Sequence, residues 1–175
     1  MMNKSYKTLL AALRAVSEKV NTFEEALAYI KRNFGDYSGY FDPNLPEIEK
    51  ELRDGLGKAS KIYRCVSFDA GEDWVKGLIV NGTGIYWSYN PDRAWCHWGD
   101  KPVKVFLEAR LPSNGVNWLK SVEMNLHHKY AAEEEVRLHQ NAKVYVRSGR
   151  VEENGVDTIT SINEIISSGA SGTDD

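Results

Sequence analysis

Val103-Lys104-Val105-Phe106-Leu107-Glu108-Ala109-Arg110-Leu111 decides the fold class. Apolar residues occupy every second position, which is the period of a strand with one face in a core and one facing water. A strand of this kind belongs to an antiparallel sheet. Shorter stretches of the same character lie on both sides of it. Ile62 to Phe68 and Thr83 to Ser88 precede it; Glu133 to Leu138 and Lys143 to Arg147 follow. Asn154-Gly155 signals a tight hairpin joining Arg150-Val151-Glu152 to Val156–Thr160, because both residues accept the positive φ that a two-residue turn requires.

Upstream the period changes to that of a helix. Leu9, Leu10, Leu13, Val16 and Val20 recur at helical spacing. Thr22 and Glu25 form a capping box before Ala26, Leu27, Ile30 and Phe34, and Gly35 stops the helix. A third helix places Ile48, Leu52 and Leu56 on one side. Inside the β region, Asp73 to Ile79 reads as a helix. Asn90-Pro91-Asp92 opens another, carrying Ala94, Trp95 and Trp98 as far as Gly99. A long loop with Trp118 precedes Glu133. The expected architecture is α+β: a helical N-terminal region over 1–58, a largely antiparallel β core over 59–166, and a disordered Ser/Gly/Asp-rich tail over 167–175.

The bulk composition narrows the function. With 42% hydrophobic and 27% charged residues, 175 residues suffice for one globular core. A formal charge of -3 carries no polybasic signature of a nucleic-acid or membrane surface. No apolar run approaches the roughly 20 residues of a membrane span, and Met1 to Leu13 lacks the apolar centre of a signal peptide. Two cysteines, Cys65 and Cys96, are too few for a disulfide framework. The expectation is a cytoplasmic protein with reduced thiols. Cys96-His97 and His127-His128 lack metal-site spacing, so no metal is expected.

Three separate segments carry chemistry-bearing side chains. In Ile62-Tyr63-Arg64-Cys65-Val66, alternation puts Arg64 on the apolar face with Ile62, Val66 and Phe68. A guanidinium there needs an anion, either a local carboxylate or the forked contacts of a diphosphate. In Gly82-Thr83-Gly84-Ile85-Tyr86-Trp87-Ser88, the glycines admit close backbone approach, and Tyr86 and Trp87 offer flat surfaces for a ring, or for a core. In Glu133-Glu134-Glu135-Val136-Arg137-Leu138, a strand reading puts Glu133 and Glu135 on one face about 7 Å apart. Such a pair is either a solvated acidic strand entry or a working couple, one carboxylate on a sugar hydroxyl and one accepting a proton.

In this order and spacing, the three segments resemble the ADP-ribosyltransferase fold family over roughly Lys61 to Arg147. Tyr63-Arg64 looks like the first-strand arginine of its arginine-serine-glutamate class. Glu133-x-Glu135-Val136-x-Leu138 looks like that class's last motif, ending in the catalytic glutamate. The middle segment departs: Tyr86-Trp87-Ser88 stands where that class has Ser-Thr-Ser. Gly84-Ile85-Tyr86 with Ala94 instead resembles the histidine-tyrosine-glutamate class. The resemblance implies NAD as a substrate. Arg64 would hold its diphosphate, Tyr86 would stack on nicotinamide, and Trp87 and Ser88 would shape the pocket. Glu135 would bind the ribose hydroxyl, oriented by Tyr86 or by Ser88, and Glu133 would activate the acceptor. The loop with His127, His128, Lys129 and Tyr130 would meet the target.

The leading expectation is therefore a mono-ADP-ribosyltransferase acting on a macromolecule, with a protein arginine as acceptor, of phage or toxin-effector type in a bacterial cytoplasm. An NAD glycohydrolase and a nucleic-acid acceptor are variants of it. A non-enzymatic protein-binding module built on Trp74, Trp87, Trp95, Trp98 and Trp118 is the competitor from another class.

Overall fold

The computed structural model describes residues 11, 15, 16, 19–34, 45–94, 101–127 and 131–169. In chain order these form α1 (Phe23–Phe34), α2 (Leu45–Asp54), β1 (Lys61–Phe68), α3 (Trp74–Asn81), β2 (Tyr86–Ser88), β3 (Val103–Arg110), α4 (Trp118–Leu126), β4 (Glu135–Arg137), β5 (Lys143–Glu153) and β6 (Val156–Ser167). The architecture is α+β, with helices first and a largely antiparallel β core after them. The chain divides into two compact units, Met1–Lys58 with Asn117–Arg137, and Ala59–Val116 with Leu138–Asp175. No helix among the described residues is long and apolar enough to cross a membrane. The helix expected over Leu9 to Val20 falls largely outside the described residues.

In the first unit, α1 starts at the expected capping box. Thr22 Oγ1 accepts from the Glu25 N–H at 3.2 Å, and Glu25 reaches back to the Asn21 N–H at 2.9 Å. Phe23, Ala26, Leu27 and Ile30 form one buried stripe at helical spacing. Glu49 and Arg53 of α2 close over it: Lys31 meets Glu49 at 2.8 Å, Arg53 meets Glu49 at 3.1 Å and also Glu24, and the Arg53 guanidinium lies over Phe23.

The expected loop around Trp118 is instead α4. Asn117 caps it, its side chain accepting from the Lys120 N–H at 3.0 Å. Leu119, Val122 and Leu126 supply its fully buried apolar side. His127 is not part of an exposed loop: it closes α4, 8% exposed, donating its N–H to Glu123 and Met124 carbonyls. His128, Lys129 and Tyr130 lie outside the described residues.

In the second unit the strands lie in the order β2-β1-β3-β5-β6, with β1–β2, β1–β3, β3–β5 and β5–β6 all antiparallel. β3 alternates as its sequence does, with Val103, Val105, Leu107 and Ala109 all buried. Opposed residues share a face. Ile62 opposite Ala109, Arg64 opposite Leu107 and Phe68 opposite Val103 put Arg64 on this buried face, as alternation requires. Trp74 of α3 rests on the same face, close over Gly149 and Val105.

The Asn154-Gly155 hairpin forms with φ of 53° and 77°, but its strands are longer than expected. β5 runs through Glu153 and β6 on to Ser167. Ser168 beyond it is buried, its N–H donating to the Ala142 carbonyl at 2.8 Å and its hydroxyl to the His139 carbonyl at 3.0 Å. Cys65, expected as a reduced thiol, is disulfide-bonded. The expected Asn90 helix is a single 3-10 turn, Pro91–Arg93; Trp95, Cys96, His97, Trp98 and Gly99 lie outside the described residues.

Candidate functional site

In the second unit the side chains of interest gather around the loop before β2. The strand expected from Thr83 begins only at Tyr86, because Gly82 and Gly84 adopt φ of 79° and 77°, which breaks an extended run. The loop is stitched to the end of β6. The Thr83 N–H donates to the Ser167 carbonyl at 3.1 Å and the Gly84 N–H to the Ser168 carbonyl at 2.6 Å. Gly82 and Gly169 pack so closely that a Cβ on Gly82 would lie 2.6 Å from the Gly169 nitrogen. A Cβ on Gly84 would lie 2.6 Å from Arg64 Nη2 and 2.8 Å from its Cζ. The Arg64 guanidinium thus rests on bare backbone at Gly84, and its Nη1 donates to the Tyr86 carbonyl.

Trp87 is 3% exposed and its indole N–H donates to the Gly84 carbonyl at 3.1 Å, so the ring braces the same loop from within the core. Ser88 is equally buried, and its hydroxyl accepts the Asn90 N–H at 3.0 Å, starting the turn at Pro91. Tyr86 is the exposed member, at 37%. Tyr63 opposes Ser88. Alternation therefore sets Ser88 and Tyr86 on one face of the strand pair, with Arg64 on the other. Arg64 touches Tyr86 through the latter's carbonyl oxygen.

The acidic residues belong to the first unit, and their local structure differs from the expected strand entry. Ala131–Glu133 is a 3-10 turn, Glu134 has φ of 50°, and β4 starts only at Glu135. Glu133 and Glu135 are consequently not alternate residues of one strand. The left-handed Glu134 was invisible in sequence because no glycine or asparagine marks it.

β4 is pinned by the polar side of α4. Asn125 Nδ2 donates to the Glu135 carbonyl at 2.7 Å, Ser121 Oγ accepts the Arg137 N–H at 2.9 Å, and the Asn117 N–H donates to the Arg137 carbonyl at 2.8 Å. Asn117, Ser121 and Asn125 are four apart, so they form one row along the helix. The same helix buries Glu123 completely, with Lys120 Nζ 2.9 Å from its carboxylate.

On this fixed strand Glu135 is 7% exposed, and its Oε1 accepts from Arg137 Nε at 2.9 Å. Burial pushes its carboxyl above the ordinary range. The Arg137 charge and hydrogen bond oppose that rise, Glu133 adds to it and Lys120 opposes it. Among the described residues no group donates to Oε2. Arg137, Ser121 and Asn125 were not singled out from sequence. Arg137 was readable, since residues two apart on a strand share a face; the other two depended on recognising α4.

The described residues contain no cluster of His, Cys, Asp or Glu arranged to hold a metal ion. No protein-family model, curated protein or solved structure matches the chain.

Proposed function

We propose that the chain is an NAD-dependent mono-ADP-ribosyltransferase that modifies a macromolecule, with a protein arginine as acceptor. The observation that supports this most is Glu135: a carboxylate held in a nearly buried position, its Oε1 accepting from Arg137 and its Oε2 without a donor among the described residues. Burying a carboxylate is costly, and breaking its pair costs more.

In the proposed reaction the bond between ribose C1′ and the nicotinamide nitrogen breaks. Nicotinamide leaves with the bonding pair as a neutral base. Positive charge develops on the ribose, as in glycoside cleavage. Glu135 accepts a hydrogen bond from a ribose hydroxyl and stabilises that charge. The acceptor nitrogen forms the new bond to C1′ and gives its proton to Glu133, whose charge is felt at Glu135. Exposed Tyr86 supplies a stacking surface for the nicotinamide ring; Arg64, expected to hold the diphosphate, lies on the opposite face of the strand pair and supports Tyr86 through its carbonyl oxygen. Trp87 and Ser88 act behind them, as supports of the loop and turn.

Mass spectrometry of cellular proteins and nucleic acids after expression of the chain tests the acceptor. ADP-ribose on protein arginine, absent with Glu135→Gln, is the expected result. Marks on nucleic acid alone would move the acceptor class. Free ADP-ribose without any mark would make the protein an NAD glycohydrolase.

A further inference from the structure

We propose that Arg137 is the positioning residue of the Glu135 carboxylate, fixing Oε1 so that Oε2 alone is presented to a sugar hydroxyl. Its catalytic meaning rests on the transferase reading; its control over how Glu135 ionises does not. The geometry has three parts. Both side chains are nearly buried, Glu135 at 8% and Arg137 at 13% exposure, so water does not compete for the 2.9 Å bond. The residues stand two apart on β4, so the strand itself sets their side chains on one face. Finally, α4 holds the backbone of both, through Asn125 to the Glu135 carbonyl and through Ser121 to the Arg137 N–H. A carboxylate on a pinned strand, clamped at one oxygen, has little freedom left, which is the pre-organisation that a reacting group needs.

The charged groups acting on Glu135 are Arg137 on β4 itself, Lys120 on α4 and Glu133 in the preceding turn. Burial and Glu133 favour the protonated form, whereas Arg137 and Lys120 favour the carboxylate. Arg137 is the larger of the two opposing cations, acting by charge and by hydrogen bond. Removing it must extend the protonated form to higher pH. Only the ionised form stabilises a developing cation, so the acid limb of turnover must move with it.

The test follows the Glu135 carboxyl carbon by NMR through a pH titration in the full chain, comparing native protein with Arg137→Met and Arg137→Lys. Arg137→Met is expected to raise the Glu135 midpoint by about 1–3 pH units, the usual influence of one adjacent cation. Arg137→Lys, which keeps the charge without the Nε–H, is expected to raise it less. In NAD turnover, the acid limb of kcat/KM is expected to rise in step with the NMR midpoint. Away from that limb, kcat falls while KM for NAD stays near native, as for a group acting in the transition state. An unchanged midpoint in Arg137→Met overturns the proposal, and so does a loss of turnover with an unmoved acid limb. Should Arg137→Met not fold, the Arg137→Lys titration decides alone: a native midpoint with a native kcat overturns the proposal. A native chain that releases no nicotinamide sinks the transferase reading, while the titration still decides the role of Arg137.

Discussion

Replacing Gly84 with alanine perturbs one contact whose geometry is fully specified. Two costs follow. Gly84 has φ of 77°, and holding a residue with a Cβ in the left-handed region costs about 1–2 kcal/mol. The new methyl would also lie 2.6 Å from Arg64 Nη2 and 2.8 Å from its Cζ, too close for both to stay. The guanidinium must move and give up its bond to the Tyr86 carbonyl. A hydrogen bond to a charged group contributes about 1.5–3 kcal/mol. Arg64 is half-buried and regains some hydration when displaced, so the total falls in the lower part of about 2.5–5 kcal/mol.

Gly71→Ala supplies the control, because Gly71 has the same φ of 77° and nothing within 4 Å of the added Cβ. It is expected to cost only the backbone part. Urea unfolding measures both, with midpoints falling and slopes unchanged. In an Arg64→Ala background, where the bond to the Tyr86 carbonyl is already gone, Gly84→Ala should cost only the backbone part. Equal losses for Gly84→Ala and Gly71→Ala, or an undiminished Gly84→Ala cost in the Arg64→Ala background, would refute the packing of Arg64 on Gly84.

Three further outcomes follow from the same geometry. Gly169→Ala, with φ of 75° and a Cβ placed 2.5 Å from the Asn81 carbonyl oxygen, is expected to cost at least about 1–3 kcal/mol. It should also abolish exchange protection at the Gly84 amide, which donates to Ser168; retained protection would contradict the stitching of the loop to β6. Asn125→Ala strands the Glu135 carbonyl and should cost about 1–3 kcal/mol, read as a fall in the urea midpoint. Glu49 has its carboxyl held below the ordinary range, chiefly by its hydrogen bond to Lys31 with burial opposing. Its contribution is therefore present above the ordinary carboxylate pKa and is lost as pH falls through the lowered one. Glu49→Gln should cost up to about 1 kcal/mol at neutral pH. That difference should shrink as pH falls below the ordinary carboxylate range and close once it is below the lowered pKa, and a gap persisting in stronger acid would argue against the ion pair.

What was legible in the sequence was whatever rests on one local signal. The alternation from Val103 to Arg110 appears as buried and half-exposed positions in β3. Thr22 and Glu25 cap α1, and Asn154-Gly155 turns the β5–β6 hairpin. The misses share a cause, which is that a distant partner overrides the local signal. Ser161 and Ser167 look like linker residues, yet β5 pairs with them and extends β6. Thr83 has strand character, but the flanking glycines and the contacts of Ser167 and Ser168 hold it in a loop. The expected loop around Trp118 is a helix, which the Asn117 cap and the spacing of Leu119, Val122 and Leu126 spell.

For the candidate site, the sequence singled out Arg64, Glu135 and, for close backbone approach, Gly84, but not Arg64 as the group resting on that glycine, nor Arg137 beside Glu135.

The most direct measurement is nicotinamide release from NAD by the purified chain, with Glu135→Gln in parallel. The account predicts turnover by the native protein and a fall of about 10²–10³-fold in the variant, the usual loss when one group stabilising transition-state charge is removed. Equal release by both proteins, or none from the native chain in the presence of acceptor protein, would contradict it.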